Sequence, residues 1–298
     1  MRRQAAVNVD IDSLALYYRI HGLDERGASD VVWTRGVPRF LKLFEEVGIK
    51  ATFFCVASDP ENNPDAREQC EALVAQGHEL ASHSHTHPYN LTRLPKARIQ
   101  EEVQRSKEIL SDLKGSPVVG FRAPGYTMSA PVFEALEQAG YRYDTSLFPC
   151  PPYYLAKAAV LASMTLRGKR SESILDKPSI MWAKTQPHTL GAIHEYPVSV
   201  LPWLRAPFIG TSLIMMGERG YSLIRPWLGQ SKFVNLEFHG IDMCDLERDG
   251  IDPVLLKQPD LRAPLLKKEA LFRRVLTDLH AHWGVSTLEA IEAEGALA

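Results

Sequence analysis

The chain of 298 residues has few cysteines, no long apolar run and almost no excess of charge. Its four cysteines (Cys55, Cys70, Cys150 and Cys244) form no Cys-x-x-Cys pair, so we interpret them as reduced structural thiols. No apolar run reaches the roughly 18 residues needed to span a bilayer. A net charge of −2 gives no basic stripe of the kind that nucleic-acid binders carry. These absences argue against a disulfide framework, a membrane-spanning helix and a nucleic-acid partner.

The N-terminal stretch MRRQAAVNVDID has two basic residues but lacks the apolar segment of a signal peptide, so we expect a cytoplasmic location. Apolar residues make up 45% of the chain and charged residues 23%, as in an ordinary globular protein. This length suits one large α/β domain or two small ones. Because no linker separates two halves, we predict a single domain over residues 1–298.

Strand-like and helical patterns alternate through the first half of the chain. The strand-like runs are AAVNVDI, ATFFCVA, HELASHS, PVVGFRAP and YRYDTSLF, and the helical patterns between them are GVPRFLKLFEEVGIK, PDAREQCEALVAQG, LPKARIQEEVQRSKEILSDL and APVFEALEQAG. Three of these helices are predicted to end at Gly48, Gly77 and Gly140. Repeated βα units predict an α/β fold with a parallel sheet, either open or closed into a barrel.

The alternation breaks at about residues 150–190, which we predict to be an elaboration at the mouth of the fold. It returns with AIHEYPVSV, GERGYSLIRPWLG and KFVNLEFHGID, and a final helix is predicted at about residues 264–283.

The stretch ELASHSHTHPYN places three histidines on alternate positions: His83, His85 and His87. An extended chain would send all three to one face, whereas a helical turn would bring together only His83 and His87. The two geometries imply different chemistry.

Polar side chains close several of the predicted strands, and in a parallel sheet such positions gather on one rim, where ligands bind. They are Asp10, Asp12, the three histidines, Arg122, Asp144 and His239. An aspartate with two histidines offers three ligands to a divalent metal and leaves a position for water, which indicates a hydrolytic metal site. The alternative is a solvated strand end for Asp10 and Asp12, and packing roles for the histidines.

The order VDID, HSHTH, FRAPGY and LEFHG resembles the polysaccharide deacetylase family, the carbohydrate esterases of family 4 type with the nodulation-deacetylase homology domain. The resemblance extends from about Val7 to Asp245. It implies a distorted (β/α) barrel of about seven parallel strands. It also implies an enzyme: a metal-dependent hydrolase that removes an N-acyl group, in the first place N-acetyl, from an amino sugar by cleaving a linear amide C–N bond.

Carried over by position, the resemblance assigns the metal to Asp12, His83 and His87. Ser84 matches the family's Ser/Thr, and His85 falls on a variable position, where we expect a hydrogen-bonded, non-ligand role. The spacing of four between the two ligand histidines corresponds to a helical turn. Zinc is the expected cofactor, with Co²⁺, Mn²⁺, Ni²⁺ and Fe²⁺ as alternatives.

The resemblance also assigns catalytic roles. Asp10 would be the general base, and Arg122, of the Arg-x-Pro motif with Pro124, would hold it ionised through two nitrogens. His239 would be the general acid that protonates the leaving amine. The backbone N–H of Gly125 stands at the family's oxyanion donor, where many members have Tyr, and we place Pro124 and Tyr126 with it on the substrate side. The usual family motif has adjacent aspartates. One residue separates them here, as in the branch acting on peptidoglycan and lipid-linked sugars.

Three carboxylates are candidates for supporting roles. Asp144 could support the site or cap the turn that follows it. Asp242 is close enough in sequence to help position His239. The family's own aspartate for tuning the acid is not recognisable, and Glu195 in IHEYPVS is a candidate substitute whose role stays open.

Two apolar segments with basic residues, at about 153–166 and 201–216, are either internal core or an apolar mouth resting on a membrane surface. The expected partner is an N-acylated amino sugar or a lipid-linked glycan. If the two apolar segments are not core, we expect them to make peripheral contact with the inner face of the membrane. The same site could instead release formate or open other non-peptide C–N bonds, and an inactive metal-stabilised binding module is a third hypothesis. The oligomeric state is not determined by the sequence.

Overall fold

The protein is described by a computed structural model covering residues 3–25, 29–168, 171–175 and 177–295. A single sheet dominates it. Its strands are β1 (Gln4–Ile11), β2 (Thr52–Cys55), β3 (Glu79–Ser82), β4 (Gly120–Phe121), β5 (Tyr143–Asp144), β6 (His188–Leu190), β7 (Ile193–Glu195), β8 (Phe233–His239) and β9 (Gly284–Val285). The predicted single domain over 1–298 and the elaboration at 150–190 also include residues outside these described ranges.

The strand order is β6-β7-β5-β4-β3-β2-β1-β8, with β9 paired to β1 beside this path. All pairs from β7 to β8 along the path are parallel, and only β6 runs antiparallel to its neighbour. The seven parallel strands curl into a half-barrel. On the far side of β8, the backbone N–H of Ser199 donates to the carbonyl of Asn235 at 3.0 Å and partly closes the sheet. The predicted α/β fold, a distorted (β/α) barrel of about seven parallel strands, is confirmed.

The helices of the described residues follow the predicted rhythm in the first half. They are α1 (Leu14–Ile20), α2 (Val37–Val47), α3 (Ser58–Asn62), α4 (Pro64–Ala75), α5 (Lys96–Lys114), α6 (Ala130–Ala139), α7 (Pro151–Leu166), α8 (Gly210–Leu228), α9 (Leu265–His282) and α10 (Leu288–Ala293). Gly48 and Gly140 end α2 and α6 with φ of 78° and 73°, the left-handed conformation that glycine adopts without a Cβ clash. The predicted C-terminal helix at 264–283 corresponds to α9.

The register of the sheet places catalytic candidates beside one another. Asp10 in β1 pairs with His239 in β8, and Ser82, the last residue of β3, pairs with Phe121 in β4. His83 and Arg122, which directly follow that pair, therefore emerge side by side at the carboxyl end of the sheet. The fold thus supplies one rim on which strand-end side chains meet.

The second half departs from the βα alternation because α7 and α8 are long helices whose exposed faces carry large apolar side chains. Leu155 in α7 is 66% exposed and Met215 in α8 is 71% exposed. Gly217, with φ 63° and ψ −172°, changes the direction of α8 within its length. None of the helices in the described residues has the length and apolar character that crossing a membrane requires.

Candidate active site

Asp12, His83 and His87 lie together at the rim, and we call them the metal cluster. The Nε2 atoms of His83 and His87 are 3.6 Å and 3.4 Å from Oδ1 of Asp12. All three side chains are buried. The Oδ1 atom of Asp12 has no hydrogen-bond partner among the described residues. A buried carboxylate oxygen between two imidazole nitrogens is a donor set that suits a divalent cation.

The protonation of the two histidines fits this role. Nδ1 of His83 lies 2.8 Å from the carbonyl oxygen of Arg122, and because a carbonyl only accepts, Nδ1 carries the proton and Nε2 is left as a ligand. Burial lowers the pKa of His87 to about 4, so its imidazole is neutral near pH 7. Burial alone would raise the pKa of Asp12, but the surrounding imidazoles and Arg122 hold it below its usual range.

The expected helical turn between the two histidines is wrong. Residues 83–87 form a loop after β3, in which Ser84 and His87 have φ of 66° and 56°. These two left-handed residues fold the loop back, so the imidazole rings lie 4.9 Å apart. Ser84 stabilises the loop by accepting a hydrogen bond from the backbone N–H of His87 at 3.1 Å. His85 points away from the cluster and pairs with Glu61 at 2.9 Å.

Asp10 lies beside the metal cluster, with its Oδ2 atom 3.9 Å from Nε2 of His83. Its Oδ1 atom accepts a hydrogen bond from Nη1 of the fully buried Arg122 at 2.5 Å. The expected two-nitrogen contact is wrong, because Nε and Nη2 of Arg122 bond the carbonyl and hydroxyl oxygens of Thr145 instead. One nitrogen therefore fixes Asp10, and the other two fix the arginine.

His239 lies on the other side of the metal cluster, with Nε2 4.0 Å from Oδ2 of Asp12. Its Nδ1 atom forms an ion pair with Oε1 of Glu237 at 3.0 Å, and the Tyr126 hydroxyl donates a hydrogen bond to the same oxygen at 2.6 Å. We call Tyr126, Glu237 and His239 the acid cluster. Burial lowers the pKa of His239, but the charges of Glu237 and the two aspartates outweigh it and raise that pKa well above its usual range.

Glu237 is a site residue that sequence reasoning missed. The signal in the sequence is the alternation of polar and apolar residues in FVNLEFH. Asn235, Glu237 and His239 are two residues apart, so in a strand they share one face. A charged residue within a buried strand needs a polar partner, so Glu237 points to a polar contact on that face. Ligand atoms of Asp10, Glu237 and His239 also lie within 4.8 Å of one another. Both carboxylates of this second set, however, already have a cationic partner in Arg122 or His239.

The other supporting candidates lie near the site, and Asp144 takes the turn-capping role that was one of its two expected alternatives. Asp242 accepts the backbone N–H of His239 at 3.0 Å, so it positions the main chain and not the imidazole. Asp144 caps the turn after β5, accepting both the N–H and the hydroxyl of Ser146. Glu195 is the register partner of Asp144 in the sheet, and burial together with the charge of Asp144 raises its pKa well above the usual range. Neither of these two carboxylates contacts the His239 ring.

A cavity of about 390 Å³ opens beside both clusters. Gly125, with φ 63°, lines it, whereas Pro124 is buried beneath. The amine of Lys157 lies 3.4 Å from the carbonyl oxygen of Gly125. Most of the remaining wall is aromatic or aliphatic: Tyr17, Ile20, Tyr89, Pro152, Tyr153, Ala156, Pro207, Ile209 and Met215.

Comparison with known proteins agrees with this arrangement. Residues 29–143 match the family model described as polysaccharide deacetylase. A peptidoglycan deacetylase from Helicobacter pylori is 28% identical over 232 aligned residues, covering 67% of this chain and 75% of that protein.

Solved structures share the fold at low sequence identity. One from Mycobacterium smegmatis, assigned to the polysaccharide deacetylases, superposes with a TM-score of 0.62 at 18% identity and covers 100% of this chain and 92% of its own. An allantoinase superposes with a TM-score of 0.58 at 16% identity, covering 99% of this chain and 90% of its own. Because the fold carries both kinds of enzyme name, the fold by itself does not decide the substrate. The matched family region, the sequence relative and the order of the strand-end motifs make the chain similar to the polysaccharide deacetylases.

Proposed function

We propose that this protein is a metal-dependent hydrolase that removes an N-acetyl group from an amino sugar of a cell-envelope glycan. The observation that carries the proposal is the division of the rim into three parts. The metal cluster lies in the middle, Asp10 with Arg122 lies on one side, and His239 with Glu237 lies on the other. Support for the glycan comes from the name of the Helicobacter pylori relative, a peptidoglycan deacetylase.

Asp12, His83 and His87 would hold the cation. Their fit rests on the unpartnered Oδ1 of Asp12 and on the two Nε2 atoms that face it. When bound, a divalent cation would lower the pKa of water far below its ordinary value, to about 7, and polarise the amide carbonyl. Zinc suits this donor set, and Co²⁺, Mn²⁺, Ni²⁺ or Fe²⁺ are alternatives.

Asp10 is proposed to take the proton from the attacking water. Arg122 supports this role because its hydrogen bond holds Oδ1 and leaves Oδ2 on the side of the metal cluster. A positively charged partner that is itself locked by Thr145 holds the base in one orientation.

His239 is proposed to give its proton to the leaving amine. An amine leaves poorly unless it is protonated, so an acid is needed on the side opposite the base. Because Nδ1 is paired with Glu237 and Nε2 lies on the side of the metal cluster, Nε2 is proposed to transfer the proton. The Tyr126 hydroxyl holds Glu237 in place, so Tyr126 acts on the acid and not on the oxyanion. The N–H of Gly125 stays the proposed oxyanion donor.

The apolar cavity wall supports a finer proposal, that the substrate has an apolar portion such as the hydrocarbon of a lipid-linked glycan. Met215 both lines the cavity and is 71% exposed, so the wall continues onto the surface of α8. The apolar segment at 201–216 is mixed in burial: Phe208 and Leu213 are core, whereas Trp203 is 90% exposed.

Liposome co-sedimentation of the wild type beside Trp203→Ser tests peripheral membrane contact, and equal absence of binding by both proteins would remove that proposal. A cytoplasmic location stays a prediction.

The deciding experiment is incubation of purified, metal-loaded protein with N-acetylated and N-formylated amino sugars, each free, polymeric and lipid-linked. The proposal expects acetate to be released with a matching amount of free amine. Release of formate alone would replace the proposal by a deformylase. Turnover of cyclic amides alone would favour hydrolysis of other C–N bonds, and no turnover of any substrate would favour the binding module.

A further inference from the structure

The loop of residues 83–87, which we call the ligand loop, holds a conformation that its sequence does not favour. It connects the two histidines of the metal cluster. Ser84 and His87 both have positive φ although neither is a glycine. Residues other than glycine adopt such backbone angles mainly where the surrounding structure imposes them. The geometry of His87 therefore depends on contacts made to the loop from outside it.

Two of these contacts are backbone hydrogen bonds from the start of α3. The N–H of Ala57 donates to the carbonyl of Ser84 at 3.1 Å, and the N–H of Ser58 donates to the carbonyl of His85 at 2.9 Å. They hold the first half of the loop. The second half, which leads into His87, is held differently.

Glu102 holds the second half through three hydrogen bonds. Its Oε2 atom accepts the backbone N–H groups of His85 at 3.1 Å and Thr86 at 2.8 Å, and its Oε1 atom accepts the Thr86 hydroxyl at 2.7 Å. Two consecutive peptide groups and one side chain are thus fixed immediately before His87. A carboxylate bound to two adjacent N–H groups restricts the dihedral angles between them.

Glu102 is itself fixed by its place on α5. It is 3% exposed and lies on the buried stripe of that helix with Ile99, Val103, Ser106 and Leu110. One turn further along, the Ser106 hydroxyl lies 2.7 Å from the hydroxyl of Ser82, the last residue of β3. The helix therefore supports β3 and the ligand loop together. In the sequence, the signal is a glutamate at a position of the apolar stripe.

We propose that Glu102 is a positioning residue for the metal cluster, setting the orientation of His87 through the ligand loop. The proposal rests on the proposed metal-binding function and deepens it. Glu102 acts by the reach of its side chain and not by its charge, because its acceptor atoms contact the loop and not the ligand atoms. Supports that orient ligands commonly contribute about 10- to 100-fold in metal affinity.

Two conservative variants separate reach from charge. Glu102→Asp keeps the negative charge but withdraws the carboxylate from the loop by one methylene. Glu102→Gln keeps the reach, since its amide oxygen can accept the two N–H groups while its NH₂ donates to the Thr86 hydroxyl. Zn²⁺ affinity is measured by competition with a chromophoric chelator, and ligand geometry by the visible absorption of Co²⁺-loaded protein.

A matched control is available at the other end of β3. Glu79 is also 3% exposed and also accepts three hydrogen bonds, from the Thr52 and Tyr143 hydroxyls and the N–H of Glu289. It does not contact the ligand loop. Glu79→Asp therefore reports what the same shortening does to the fold alone, read as the change in thermal unfolding temperature of each variant.

The expected result is that Glu102→Asp binds Zn²⁺ about 10- to 100-fold more weakly, with an altered Co²⁺ spectrum. Glu102→Gln and Glu79→Asp should stay within about threefold of the wild type. Wild-type affinity in Glu102→Asp, an equal loss in Glu79→Asp, or a loss confined to Glu102→Gln would each overturn the positioning role. Absence of Zn²⁺ binding by the wild type would instead overturn the proposed function itself, and the positioning role with it.

Discussion

The metal cluster and the acid cluster lie next to each other on the same rim, and both are built from buried charged groups, but they satisfy those charges differently. In the acid cluster, Glu237 holds both the His239 imidazole and the Tyr126 hydroxyl. In the metal cluster, Oδ1 of Asp12 has no partner among the described residues, although two imidazole nitrogens face it. Buried polar atoms rarely stay unpaired. Oε2 of Glu237 also lacks a partner among the described residues, so the comparison rests on the two imidazole nitrogens that face Asp12, a donor set that fits the proposed cation.

The largest expected effect comes from breaking the metal cluster. Asp12→Ala should abolish stoichiometric metal binding and lower deacetylation by more than about 10⁴-fold, beyond what a general acid or base alone supplies. Metal content by mass spectrometry and acetate release measure the two effects. His85→Ala, which removes the neighbouring histidine that faces Glu61, is the control and should retain both. Full activity of the aspartate variant would remove metal dependence from the account.

The second-largest expected effect comes from removing the proposed general base while the metal stays bound. Asp10→Asn should keep the metal and lose at least about a hundredfold in kcat, because the amide cannot accept the proton although it can still contact Arg122. Metal content and steady-state kinetics are measured on the same preparation. Near-wild-type turnover would contradict the base assignment, and loss of the metal would make Asp10 a ligand instead.

The third effect isolates the acid cluster. Glu237→Gln should retain the metal but lose about 10- to 100-fold in hydrolysis of amide substrates, because the His239 proton is no longer stabilised by a carboxylate. An acetate ester of an acidic phenol, whose leaving group needs no proton, should be hydrolysed at close to the wild-type rate. Glu195→Gln, which changes a buried glutamate away from the His239 ring, is the control. Equal loss on amide and ester would show that Glu237 acts on the fold.

The smallest expected effect is a pH dependence of the unfolding free energy that comes from His78. It sets the pH range over which the activities of the two clusters can be compared. Burial between Phe44 and Phe53 lowers the pKa of His78 from 6.5 to about 4, and its Nδ1 atom accepts the N–H of Ala51. A folded-state pKa below the unfolded value means that this stabilisation is complete above pH 6.5 and is lost as the pH falls toward 4.

Urea unfolding at pH 7.5 and pH 5 measures this loss. His78→Gln, whose amide oxygen can still accept from Ala51, should show a smaller difference in unfolding free energy between the two pH values than the wild type. An unchanged difference would show that His78 is not the cause of the lower stability at pH 5.

Much of the fold could be predicted from the sequence because the first half obeys local rules. Apolar strands alternate with amphipathic helices that end at Gly48 and Gly140, and the parallel arrangement follows from that alternation. The second half could not be predicted in the same detail, because α7 and α8 add exposed apolar surface without the βα rhythm. Their arrangement depends on tertiary contacts that local patterns do not encode.

The candidate site divides in the same way. Strand-end residues such as Asp10 and His239 were found because position in a parallel sheet determines where they meet. The conformation of the ligand loop was not found, because the spacing of His83 and His87 fits a helical turn equally well. Glu102 and Glu237 were missed because each lies within an apolar pattern. The contact that explains Glu102 is made by the ligand loop, and the contact that explains Glu237 is made by His239 on the same face of its strand.

The most direct test of the central claim is anomalous scattering at the zinc absorption edge from crystals reloaded with Zn²⁺. We expect one peak of full occupancy about 2.0–2.2 Å from Nε2 of His83, Nε2 of His87 and a carboxylate oxygen of Asp12. No peak at that position, or a peak instead between Asp10, Glu237 and His239, would contradict it.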